Sequence, residues 1–177
     1  MVTLLTNIFI TLLLFSGLSL AQSLTEAQQR TNVKEQAEKM GKALLAKDLK
    51  TFISYTYPRV VESMGGKEKM EEFMKKQMAD GGPDFQSITI GEPSRFILSK
   101  HNIQCVVSQT FVMKSGEGTI SATSSLIAFS GDGGNNWTFI DVSTHDLKTL
   151  RKLIPEISSK LVIPPMSKPV FTKDTKL

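Results

Sequence analysis

Between Leu24 and Lys47 the apolar residues Val33, Ala37, Met40 and Leu44 recur at steps of four and three, the spacing of one face of an amphipathic helix. Thr25 stands where an N-cap belongs, Glu, Gln, Lys and Ala fill the opposite face, and Lys47-Asp48 ends the run without a glycine. Leu49 to Tyr57 reads as a short second helix closed by Pro58, because the residue before a proline is pushed out of the α region. After the Gly65-Gly66 turn, Met70, Phe73, Met74 and Met78 mark a third helix over Lys67 to Ala79. Its Met-rich face suits core packing better than an adaptable binding surface.

Past Gly81-Gly82-Pro83 the period changes to two. Phe85 to Gly91 and Arg95 to Ser99 read as short strands separated by Glu92-Pro93. In Ile103 to Met113, the residues Ile103, Cys105, Val107, Phe111 and Met113 share one face, with Gln104, Ser108, Thr110 and Lys114 on the other. Ser115 to Gly118 makes a hairpin connection into Thr119 to Ser130, a strand rich in Ser, Thr and Ala whose small side chains let another layer approach closely. A turn over Gly131 to Asn136 leads to a last strand, Trp137 to Val142, and then to a helix from His145 to Leu153 with Ser143 and Asp146 spaced as a capping box. Ile154 to Val170 holds four prolines and is expected to be an irregular tail whose Leu161-Val162-Ile163 packs on the domain, with 166–177 flexible and its end frayed.

Helices followed by antiparallel strands define an α+β class in which the sheet buries one face against the long first helix. This order, with the Tyr57-Pro58 break, the Gly65-Gly66 turn and the Asp-Gly-Trp hairpin, resembles the nuclear transport factor 2-like superfamily of the cystatin-like class, which includes SnoaL-like members. The resemblance covers about 24–151. It implies three N-terminal helices, a curved antiparallel sheet of about five strands wrapped into a cone, and a short C-terminal helix and tail. The superfamily holds enzymes and binding domains alike, so fold does not assign function.

Ahead of this domain, assigned to 22–165, Ile8 to Leu20 is an apolar run of signal-peptide length, and Ser19-x-Ala21 supplies small residues for cleavage before Gln22. Residues 1–21 carry no charged side chain, so the usual basic residue of an n-region is missing. An uncleaved anchor would need about 20 mainly apolar residues, reached only if the polar ones are counted. The sole cysteine, Cys105, provides no lipid-attachment site after the apolar run. The expectation is export to the periplasm or the cell exterior, with no membrane anchor after cleavage. About 156 residues would remain, enough for one core, and a lone cysteine leaves stability to packing.

The formal charge of +4 invites a nucleic-acid reading. Interleaving of Lys with Glu along the helices, without an aromatic-studded basic stripe, argues against it.

Ser130-Gly131-Asp132-Gly133-Gly134-Asn135-Asn136-Trp137 fits an Asp-box, a hairpin device in which Asp132 ties down the amides of a turn that includes Gly134 and Trp137 packs beneath it. It occurs once, in a chain too short for a propeller, so a structural turn is the better account than a glycosidase, and one carboxylate is too few for calcium. Asn136-Trp137-Thr138 is a glycosylation sequon for which no glycan is expected. The two histidines, His101 and His145, stand at element ends outside any ligand-spaced motif, so no metal and no cofactor are indicated.

The polar groups placed nearest a cone cavity are Tyr55, Tyr57, Arg95, Gln109 and Asp141. No pair among them forms a catalytic motif. The function expected is therefore a non-enzymatic module that binds a small apolar ligand or a partner protein, with homodimerisation through the convex sheet. The alternative is a ketosteroid-isomerase-like or SnoaL-like isomerase, dehydratase or cyclase acting by general acid-base chemistry.

Overall fold

The computed structural model describes residues 24–99, 101–143 and 147–174. The segment read as a signal peptide, together with His145 and Asp146, lies outside these residues. Helix α1 spans Glu26–Leu45 and opens on a complete capping box, with the Thr25 hydroxyl accepting from the Gln28 amide while the Gln28 side chain accepts from the Thr25 amide. Its apolar face is buried as the spacing predicts at Val33, Ala37 and Met40, with Leu44 half-buried. Lys47 leaves the helix at φ 57°, the left-handed step for which a glycine is the usual choice. Asp48 then caps α2, Leu49–Tyr55.

The first correction falls at Pro58. It begins α3, Pro58–Ser63, rather than merely ending α2, because a proline lacks only an N–H that the first helical turn leaves unused. Four helices therefore precede the sheet, where three are expected, the fourth being α4, Lys67–Ala79. Tyr57 between them donates its backbone N–H to the Phe139 carbonyl at 2.9 Å, tying this break to the sheet.

The strands are β1 (Phe85–Pro93), β2 (Ile97–Leu98), β3 (Ile103–Ser115), β4 (Gly118–Ser130), β5 (Thr138–Asp141) and β6 (Val170–Lys173), with α5 (Leu147–Leu153) between the last two. They form one open antiparallel sheet in the order β1-β3-β4-β5, with β2 beside β3 and β6 beside β4. Register shifts between Phe85 and Ser87 and between Ile90 and Pro93 bend β1 across the long β3–β4 hairpin.

Both faces of the sheet are covered. On one, α1 packs Val33, Ala37 and Met40 against Cys105, Val107, Leu126 and Phe139. On the other, Val106, Ile127, Phe129 and Ile140 lie under Leu150, Ile154, Ile157 and Leu161 of α5 and the segment after it. Gln104, expected on a polar face, is fully buried there. Its amide donates to Asn102 Oδ1 and to the Glu156 carbonyl, both at 2.7 Å, and its oxygen accepts from the Ser158 amide at 2.9 Å. The face expected to serve homodimerisation is thus occupied, over this half, by the chain's own C-terminal segment.

Up to Asp174 the C-terminal segment, expected as an irregular tail, is paired with the domain. Leu161 is buried and Val162 exposed, Ser167 exchanges hydrogen bonds with the Thr123 backbone, and β6 pairs with Gly118 to Ser121 of β4. Hydrogen bonding to the β4 edge, which β5 covers only from Leu126 to Phe129, holds it in place. Among the described residues no helix is long and apolar enough to cross a membrane.

Candidate functional site

The hairpin between β4 and β5 sets one wall of the α1 layer. Asp132 Oδ1 accepts from the Ser130 hydroxyl at 2.9 Å and from the amides of Asn135 and Asn136 at 3.1 and 2.9 Å, while Oδ2 accepts from the Asn136 side chain at 2.6 Å. The buried Trp137 indole donates to the Gly134 carbonyl at 2.9 Å. Gly134 adopts φ 92°, and a Cβ there would lie 2.5 Å from Gln29 Cγ, so glycine is required twice over. The helix side of this contact went unread in the sequence. Gln29, Asn32 and Gln36, one stripe of α1, donate to the carbonyls of Gly133, Gly134 and Asn135, and Gln36 also accepts from the Trp137 amide. Polar residues at helical spacing look like a solvated face unless the distant hairpin is known.

With α1 and β5 so fixed, two apolar cavities open beside them. The larger, about 570 Å³, lies among α2, α3, α4, β5 and α5, and its wall includes Phe52, Val60, Met64, Met70, Phe139 and Ile154. Phe73 and Leu153, both more than half exposed, also border it. The smaller, about 260 Å³, lies between α1 and the sheet against Ala37, Ile88, Phe111, Met113 and Leu126. Met40, Phe52 and Asp141 border both.

Asp141, the last residue of β5, sits in a small polar cluster. Its Oδ2 accepts from Gln109 Nε2 at 2.7 Å, and its Oδ1 accepts from the Ser143 amide at 2.8 Å and from the Ser124 hydroxyl at 3.4 Å. Gln109 also donates to Ser124 Oγ at 3.0 Å, its partner in the β3–β4 register. Gln109 and Asp141 are therefore brought together, Asp141 bordering both cavities and Gln109 the smaller.

The other sequence candidates are not brought there. Tyr55 packs half-buried against the α1-side core. Tyr57, two residues on, stacks on Phe129 at 4.2 Å toward the opposite layer, where burial, seconded by the Glu156 charge, raises its phenol above the usual value. Arg95 and His101 are exposed and border neither cavity.

Sequence reasoning also missed residues of the larger cavity, chiefly Met40, Phe52 and Arg59. The Met-rich face of α4 carried the one available signal, and it serves two ends: Met70 is buried in a small core with Leu49, Ile53 and Val61 and also borders the cavity. Among the described residues no cluster of His, Cys, Asp or Glu is arranged to hold a metal ion. Comparison with family models, curated proteins and solved structures finds no match to this chain.

Proposed function

We propose that this chain is an exported, non-enzymatic domain of nuclear transport factor 2-like architecture that holds a small apolar molecule between its helices and its sheet. The observation that carries this reading is the larger cavity, whose 570 Å³ falls within the size range of small-molecule sites and whose lining is mostly apolar with few polar groups. A long capped helix laid across one face of a bulged antiparallel sheet supports the architecture. An acid-base enzyme needs two titratable groups within reach of one another. Of Tyr55, Tyr57, His101 and Asp141, the candidates among the described residues, only Asp141 borders either cavity, and its side-chain partners among those residues are an amide and a hydroxyl.

The test is titration of the chain with Nile red, a neutral dye whose emission shifts to the blue in apolar surroundings. Saturable, single-site binding is expected. Ser63 borders the cavity from an exposed position on α3, so Ser63→Trp should fill the space without disturbing a core side chain and weaken binding by about tenfold at unchanged circular dichroism. Unsaturable binding, or affinity indifferent to this substitution, would overturn the assignment.

A further inference from the structure

The charges around the two cavities are unequal in a way that selects among apolar ligands. Among the described residues, Arg59 and Asp141 are the charged ones bordering the larger cavity, and Asp141 is the charged one bordering the smaller. Arg59 is already engaged, its Nη1 3.1 Å from Glu156 Oε2. Asp141 has no cation beside it among the described residues. Gln109, Ser124 and the Ser143 amide, its donors among the described residues, are neutral: they orient the carboxylate and bring it no positive charge.

From this asymmetry, and resting on the binding reading above, we infer that the ligand is an apolar molecule with a protonated amine or comparable cationic head, held by Asp141 while its tail lies in the larger cavity. A carboxylate fixed where two apolar spaces meet disfavours an anionic head by repulsion and by the cost of drying two like charges together. It favours an ammonium group through a charge-assisted hydrogen bond. Because Asp141 is exposed, water weakens the pairing, and the preference should be severalfold rather than thousandfold.

Competition against Nile red at pH 7 with dodecylamine, dodecanol and dodecanoate, each below its aggregation concentration, tests the head separately from the cavity. The expected order is amine, then alcohol, then carboxylate, with amine over carboxylate by about tenfold. In Asp141→Asn the amine should lose its advantage over the alcohol, while alcohol affinity stays within about twofold. If that variant does not fold, the wild-type chain still decides, because the amine advantage must shrink in 0.5 M salt, about the concentration at which exposed charges are largely screened. Equal or tighter binding of dodecanoate, or an amine preference that survives the substitution or the salt, would overturn the cationic head while leaving an apolar cavity in place. Failure of all three compounds and of Nile red would instead overturn the cavity reading itself.

Discussion

Asp132 shows how one carboxylate sets a loop. Burial works against its charge, but hydrogen bonds from the Asn136 amide and side chain, the Ser130 hydroxyl and the Asn135 amide outweigh it and hold the carboxyl below its usual value. Replacing it with alanine removes the acceptor of four donors, as deleting a helix cap does. Asp132→Ala should therefore cost about 1–2 kcal/mol in denaturant unfolding. A carboxyl with a lowered folded-state value contributes stability that is complete above the unfolded value of about 3.9 and is lost as pH falls through the folded one. The Tm gap between the wild type and Asp132→Asn should accordingly narrow below about pH 4. A gap constant from pH 5 to about pH 2 would show that the charge is not what holds the turn. The motif was legible because its partners lie within seven residues. The stripe of Gln29, Asn32 and Gln36 that grips it was not, since each of those contacts joins residues about 100 apart in sequence.

Among the elements, α1, α4 and the long strands followed from periodicity, and α3 and the second covered face of the sheet did not. Its signal was present: Cys105-Val106-Val107 and Leu126 to Phe129 are unbroken apolar runs, the mark of strands buried on both sides. A period-two reading of β3 passes over Val106, and four prolines disguise the segment that covers it. Strand β6 was hidden for a related reason, since its residues are exposed and it gains its order from the open half of the β4 edge. Gly118 makes that pairing possible, for a Cβ there would meet the Thr172 carbonyl at 2.4 Å and the Phe171 ring at 2.6 Å. Chains ending after Pro164 keep Leu161 and Ile163 but expose the β4 edge from Gly118 to Ser121. They should stay folded and self-associate with rising concentration, as should Gly118→Ala in milder form, measured by analytical ultracentrifugation. A truncated chain that remained monomeric throughout would mean that β6 does not protect this edge.

At the scale of the whole molecule, Cys105 reports on whether the layers open together. It lies fully buried beneath α1, and burial pushes its thiol up to about 12. A disulfide reagent should leave the native chain unlabelled at pH 8 and label it in denaturant with the same midpoint as circular dichroism. Labelling well before that midpoint would reveal a separately opening α1 layer. The unfolded thiol ionises near 8.5 while the folded one stays protonated, so stability should fall by about 1.4 kcal/mol per pH unit between about 8.5 and about 12 from this group, a slope absent in Cys105→Ala. The fold class was legible at this scale from the order of elements. The cavities were not, because Met40 and Phe52 meet Asp141 only once α1, α2 and β5 have been brought together.

The C-terminal strap also carries a timing. Synthesis delivers α1 and the β3–β4 hairpin well before Ile154, Ile157 and Leu161, so a nascent chain reaches β5 with Val106, Ile127, Phe129 and Ile140 still bare. Such an intermediate is sticky toward its own kind and toward any holding factor, and only docking of the segment from Leu150 to Leu161 withdraws that surface. Docking of that segment, rather than formation of the sheet, is the event that completes this face of the core.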